Sequence, residues 1–371
     1  MSLNLSRRRF LQLAGAAPVA VTAALAAVPQ LIMQTGCAAV QKVLERADAS
    51  LRDLSYGPDK ITGWQEIGIP FELAKRVADS TGTILRETET SMGKSGRLIG
   101  CLPVGKGPDG KDYVVGAGHI TETQIDPEYV ISDTYTLCGA VLRPCDLLLK
   151  VAARNLYDIP NIYLNHTSTD IAVWESGIDQ PNTGEFLAAV PDLEYMRSQV
   201  MPFLSRPGAQ LLSVNTADRC HYGDVSVQAV GIREAPLSIE MEQQITVNQL
   251  FDLGTSGGVI FAVVPDPATG KKGVLCDSRG TPIVIGLPAS FEAVDRNSPV
   301  PRNKNSYSVE ARPDAQEELD RARDAISRGN KGKITMTWGW HIDMFLKQQG
   351  IMPWFPIGDA QVCTRPGVVA E

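Results

Sequence analysis

This sequence predicts a mostly β chain, built as a sandwich or a barrel, and three observations carry that prediction. From about Gly82 onward, short β-branched runs alternate with turn residues. The chain holds 33 glycines and 24 prolines, the residues that punctuate turns. No long helical period separates the runs, which argues against the alternating strands and helices of a parallel sheet.

The expected strands, in order, are Thr83–Leu85, Arg97–Val104, Tyr113–Gly116, Tyr129–Ile131, Ile162–Leu164, Ile171–Trp174, Leu211–Val214, Val225–Ile232, Val259–Val264 and Pro282–Leu287. Lys106-Gly107-Pro108-Asp109-Gly110-Lys111 reads as the turn of a hairpin joining the second and third runs. Residues 265–273, rich in Pro, Gly and Lys, read as a long loop.

Helices are expected only at the two ends. Val40, Val43, Leu44, Ala47, Leu51 and Leu54 recur at three- and four-residue spacing, one apolar face over 38–54 that Gly57-Pro58 stops. Pro70 opens a second short helix through Val77. Beyond a polar stretch, Asp295–Ser308, the segment Pro313–Arg328 places acids early and arginines late, as a helix dipole prefers, and His341–Gln349 is a further helix closed by Gly350. The domain plan is therefore a signal segment at 1–36, a helical extension at 37–81, a β-rich domain at 82–294, and a C-terminal extension with helices at 295–371.

With 371 residues, 43% hydrophobic and 21% charged, the chain has the composition of a globular protein with a real core. Its net charge is −7; taking away residues 1–36 removes three arginines and no acids, leaving about −10. Such an acidic body has no electrostatic reason to bind nucleic acid or an anionic membrane surface. The seven cysteines form no CxxC pair, so no metal is expected, and no cofactor motif stands out. Disulfides are open to an exported chain, but their pairing is not fixed by sequence.

Ser6-Arg7-Arg8-Arg9-Phe10-Leu11, followed by an alanine-rich apolar run from Leu13 to Val28, has the three parts of an export signal. The arginines before Phe-Leu resemble the twin-arginine consensus, which directs folded proteins across a bacterial inner membrane. The run falls short of the ~20 residues of a membrane span. Ala24-Leu25-Ala26 offers a cleavage site, whereas Thr35-Gly36-Cys37 suggests a lipoprotein site in which Cys37 is lipidated. Gln34 stands where that pattern wants an aliphatic residue, and the choice between the sites stays open. A lipid on Cys37 is the one membrane contact expected.

The chemistry rests on three segments. Gly254-Thr255-Ser256-Gly257-Gly258 sets a serine between glycines in a tight turn, where small neighbours admit a substrate backbone and N–H groups can face an oxyanion. Upstream, Tyr113-Val114-Val115-Gly116-Ala117-Gly118-His119 is a strand ending in small residues and a histidine, and Asp170 opens the run Ile171-Ala172-Val173-Trp174. A nucleophilic serine needs an adjacent base, and the base needs a carboxylate to hold its tautomer. The order His, Asp, Ser separates this arrangement from two other serine-hydrolase orders.

Together the segments resemble the trypsin-like (chymotrypsin-fold) serine peptidase family. Val-Gly-Ala-Gly-His, Asp-Ile-Ala-Val and Gly-Thr-Ser-Gly-Gly match that family's three blocks, and Leu275-Cys276-Asp277-Ser278-Arg279-Gly280 with Ile283–Leu287 resembles the hairpin after its nucleophile. The likeness spans about residues 82–292. It implies a double six-stranded β-barrel of chymotrypsin type, carrying the N-terminal and C-terminal helical extensions, with a site in the cleft between barrels. It assigns His119 as base and later acid, Asp170 as its orienting partner, Ser256 as nucleophile, and the N–H groups of Gly254 and Ser256 as the oxyanion hole. A protein or peptide substrate and a periplasmic or extracellular location follow from the resemblance. Thr255 replaces the acid that serves N-terminal activation, and Leu250 stands where trypsin itself is acidic, so a small or apolar preference is expected at the cut site. The alternative is a catalytically inactive envelope or binding protein that keeps the fold. His166, His221 and His341 are weaker candidates; His341 reads as a hydrogen-bonded packing residue on its helix.

Overall fold

The computed structural model describes residues 59–91, 93–107, 109–121, 129–139, 143–153, 170–178, 188–216, 219, 223–252, 258–294, 315–353 and 357–365. The signal segment, Cys37, the helix over 38–54, the strand at Ile162–Leu164, Trp354 and Phe355 lie outside these residues.

The described chain opens with β1 (Ile61–Thr62) and the helices α1 (Trp64–Ile67) and α2 (Phe71–Asp79). Pro70, with extended backbone, sits just before α2 and presets its first turn. Leu73, Ala74, Val77 and Ala78 form its buried face, the three- and four-residue spacing of an amphipathic helix.

Six strands follow: β2 (Gly82–Thr90), β3 (Gly93–Lys106), β4 (Asp112–Gly116), β5 (Val130–Cys138), β6 (Cys145–Ala153) and β7 (Ile171–Ser176). Each pairs with its neighbours antiparallel, and the additional β3–β4 pairing closes the ring β3-β2-β5-β6-β7-β4. The expected 106–111 hairpin joins β3 to β4, with Gly107 N–H donating to Lys111 O. Strand β6 escaped the sequence reading because Asp146 and Lys150 interrupt its apolar pattern.

After a helical stretch, Leu193–Tyr195, Met196–Val200 and Met201–Leu204, the second ring begins. Its strands are β8 (Gln210–Asn215), β9 (Val225–Glu234), β10 (Gln244–Val247) and β11 (Val259–Pro265), then β12 (Lys272–Cys276), β13 (Gly286–Val294) and β14 (Lys331–Trp338). The closed path is β9-β10-β14-β13-β11-β8, again six antiparallel strands, with β12 branching from β11. Counted in chain order within each ring, both barrels have the circular order 1-2-3-6-5-4, a topological repeat with no visible counterpart in the sequence. The fold is thus mostly β, a double antiparallel barrel of chymotrypsin type with few helices.

Two boundaries differ from expectation. Strand β14 falls in the segment read as an extension beyond 294, yet it completes the second barrel through β10 and β13. Its glycine and lysines masked it: Lys331 and Lys333 alternate with Gly332, Ile334 and Met336, which are buried. Residues 272 and 273 belong to β12, so the loop expected over 265–273 is a short hairpin turn closed by Asp266 N–H to Lys271 O.

Helix α3 (Ala315–Ser327) lies between β13 and β14, and α4 (Gly339–Gln348) follows β14 directly. Beyond α4, β15 (Met352–Pro353) adds to β3 of the first barrel and β16 (Gln361–Cys363) adds to β12 at the second. Ile84, Leu137 and Trp174 fill the first barrel, and Leu211, Ile260, Leu275 and Trp338 the second. A third apolar cluster, with Leu102 and Val173 from one barrel and Leu212 and Phe261 from the other, joins them and includes Leu73 of α2 and Phe345 of α4.

Candidate functional site

His119 stands in a short 3-10 turn, Gly118–Thr121, at the end of β4; Thr121 Oγ1 donates to Gly118 O at 2.7 Å and closes it. The small residues before it have a steric cause. A Cβ on Gly118 would lie 2.9 Å from Ile171 O, 3.0 Å from Ile171 N and 3.1 Å from Ala153 O, all backbone. Only glycine lets the turn approach β6 and β7 so closely.

Asp170 is the residue just before β7. Antiparallel pairing sets Gly116 opposite Ala172 and Val115 opposite Val173, which brings the end of β4 to the start of β7. The sheet therefore joins two residues far apart in sequence. Asp170 Oδ1 accepts the backbone N–H of His119 at 2.6 Å, and Asp170 Oδ2 lies 2.6 Å from His119 Nδ1. With Nδ1–H donating to the carboxylate, a neutral imidazole keeps its lone pair on Nε2. Both side chains are close to nine-tenths buried, so water competes weakly for these bonds.

The second barrel reaches this pair through Thr337, fully buried on β14. Its Oγ1 accepts the Asp170 N–H at 3.1 Å, and its hydroxyl lies 3.4 Å from Asp170 O. Elsewhere Thr83 Oγ1 of β2 donates to Thr216 O, just after β8, at 3.0 Å, and Arg219 donates to the carbonyls of Thr81 and Ala78 at the end of α2. The end of the first barrel that carries His119 and Asp170 is thus tied to the second barrel through Thr337.

Arg86, buried on β2, donates from Nη1 to the carbonyl of Ile120, the residue after His119. Its Nε and Nη2 form a fork on Asp133 of β5 at 2.8 and 2.7 Å. Burial alone would raise the Asp133 carboxyl, but the Arg86 bonds and charge, with the hydroxyls of Thr88 and Tyr135, outweigh it and hold it below the usual carboxylate range.

Ser256 and Gly254 lie outside the described residues, as do Thr255, His166 and His221. Gly258, the last residue of the serine motif, directly precedes β11. Leu250 and Phe251, just upstream of the motif, are buried among the apolar residues of the second barrel. The structure thus brings His119 and Asp170 together. It also adds Thr337, Arg86 and Asp133, which the sequence reading did not single out. A period-2 signal was available for Arg86: it shares a strand face with Ile84 and Thr88, both buried.

His341 departs from expectation. It is buried on α4, but neither ring nitrogen has a hydrogen-bond partner, and burial pushes its pKa down to about 3. Of the cysteines, Cys138 is disulfide-bonded, while Cys101, Cys276 and Cys363 carry free thiols. No helix among the described residues is long and apolar enough to cross a membrane.

No family model matches the chain. Among curated proteins it is similar to a glucokinase of Aspergillus niger, 26% identical over 181 residues, which is 48% of this chain and 36% of that enzyme. The chain therefore spans about a third of the length of this relative.

Proposed function

We propose that this protein is an exported serine endopeptidase that cleaves peptide bonds through an acyl-enzyme formed on Ser256. The observation that carries the reading is the double hydrogen bond between His119 and Asp170 in a double barrel, with the serine motif running directly into β11. In this mechanism Asp170 holds Nδ1–H, and Nε2 takes the Ser256 hydroxyl proton as Oγ bonds to the substrate carbonyl carbon. The oxyanion is met by the N–H groups of Gly254 and Ser256. His119 then gives its proton to the leaving amine as the C–N bond breaks, and water, activated by the same ring, releases the acid and frees Ser256. The twin-arginine resemblance at Arg7-Arg8 supports export of the folded chain.

A curated relative that is itself an enzyme supports the coarser reading of this chain as one. It also favours a second reading, transfer of a phosphoryl group to a sugar. Against it, the match is 26% identical and covers only 36% of that enzyme.

Labelling with a fluorophosphonate decides between these readings. The full chain is expected to take up one equivalent, and Ser256→Ala none, with cleavage of a peptide library lost in parallel. ATP-dependent phosphorylation of glucose, in the absence of labelling, would instead establish the second reading. Neither labelling nor phosphorylation would leave the inactive binding protein.

A further inference from the structure

The turn that carries His119 is gripped from two sides. In front, Asp170 accepts from its backbone and faces its ring. Behind it, the buried guanidinium of Arg86 donates to the Ile120 carbonyl. An arginine is almost never fully buried unless paired, yet Arg86 is only 2% exposed. An apolar residue at this place on β2 would fill the barrel without the cost of a buried ion. The charge therefore calls for a purpose beyond packing, and its geometry supplies one. Asp133 takes two of the guanidinium's donors in a planar fork, Tyr135 offers its ring face 5.7 Å away, and the remaining edge is aimed at the residue beside His119.

The counter-charge matters as much as the donor. An uncompensated cation beside this turn would disfavour an imidazolium on His119, and an uncompensated anion would favour it. Asp133 is fixed on the guanidinium and is itself tied by Thr88 Oγ1 at 3.0 Å. The Tyr135 phenol, pushed up to about 12 mainly by burial, stays neutral. Other ionisable groups on the strands around the turn are engaged elsewhere: Lys150 and Lys111 with Glu175, Lys106 with Asp112, Tyr113 with Asp109, and Cys145 with Ser176. Among the described residues, the charged groups tied directly to this turn are then Asp170, on the His119 backbone and ring, and Arg86, on the Ile120 carbonyl, with Asp133 as its counter-ion.

We propose that Arg86 is a positioning residue for His119, acting through the Ile120 carbonyl, and that Asp133 neutralises it so that the ring keeps its capacity to take a proton. This rests on the reading of His119 as the base of a serine peptidase. It adds two residues, neither of which touches the substrate, to the machinery of that site.

The test is a histidine NMR titration of the full chain, in which four histidines are resolvable and His119→Gln assigns the resonance of interest. Arg86→Met, which strands the Asp133 anion, is expected to raise the His119 midpoint. Asp133→Asn, which strands the guanidinium, is expected to lower it. The double variant Arg86→Met/Asp133→Leu removes both charges and is expected to return the midpoint towards wild type. In peptide cleavage, Arg86→Met and the double variant are each expected to lose on the order of tenfold to a hundredfold in kcat, with KM within about twofold, because the turn has lost its rear anchor.

Opposite shifts in the two single variants support the proposal. Shifts of the same sign, or none in a variant whose circular dichroism is native, overturn it. If Arg86→Met does not fold, Asp133→Asn decides alone by the sign of its shift. The titration needs no turnover, so a wild-type chain that fails to react with a fluorophosphonate sinks the peptidase reading while leaving the titration to judge the positioning. A chain that labels but shows no opposed shifts loses only the positioning.

Discussion

Asp170 holds His119 at two points, taking the backbone N–H on one carboxylate oxygen and facing ring Nδ1 with the other, each at 2.6 Å. One residue thereby fixes both the turn and the ring it carries. Asp170→Asn separates these roles. The amide oxygen can still accept the backbone N–H and keep the turn, while the ring loses the carboxylate that orders its tautomer. The fold is expected to survive, and kcat for peptide cleavage to fall by about 10^4-fold at neutral pH, the scale seen for the same change in the chymotrypsin triad. Steady-state kinetics beside a thermal melt checks both halves.

Gly118→Ala tests the close approach of β4 to β7. The added methyl meets backbone atoms at 2.9 to 3.1 Å, and backbone cannot move aside cheaply. A destabilisation of about 1–3 kcal/mol is expected from overpacking, together with a lengthened His119–Asp170 contact. Urea unfolding measures the first, and loss of the downfield Nδ1 proton resonance reports the second.

Stability should depend on pH through His341. Its folded pKa is depressed to about 3, against an unfolded value near 6.5. Above 6.5 neither state binds the proton and the group contributes nothing. As pH falls below 6.5 only the unfolded chain takes up the proton, so stability is lost progressively until about pH 3. Linkage gives a loss of about 2 kcal/mol between pH 7 and pH 5 from this group. His341→Phe, which fills the same space without a basic nitrogen, is expected to flatten that part of the pH–stability curve.

The free thiols should alkylate in a fixed order. Cys363 is drawn below the usual thiol range by its hydrogen bond with Cys276, with Arg76 adding to this against the opposing effect of burial. Burial pushes Cys101 up to about 12, and Cys276 is raised by burial and by the bond to Cys363. Since thiolate is the reactive form, iodoacetamide near pH 8 should modify Cys363 well before Cys101 or Cys276. Peptide mass spectrometry of a time course reads the order directly.

Local signals made the barrels legible and long-range ones did not. Ile171–Trp174 and Val259–Val264 read as strands because continuous apolar runs between turns have few other uses, and both are buried throughout. The same logic found His119 and Asp170 at strand ends. Strand β14 reads as part of an extension because lysine and glycine open it and α3 intervenes. Its place is set by partners on β10 and β13 far back in the chain. Thr337 and Arg86 went unremarked for a related reason: a threonine or an arginine acquires its role only from what the fold lays against it.

The late position of β14 bears on how the molecule comes to exist. The first barrel has all six strands once synthesis passes Ser176, whereas the second waits for Trp338, about 160 residues later. At about 5–20 residues per second the first ring can close roughly 10–30 s before its neighbour. During that interval β10 and β13 each lack a partner along one edge, the condition in which strands recruit the wrong chain. A chain that stops at residue 330 would hold a ring still open between β10 and β13, with five of its six strands in place.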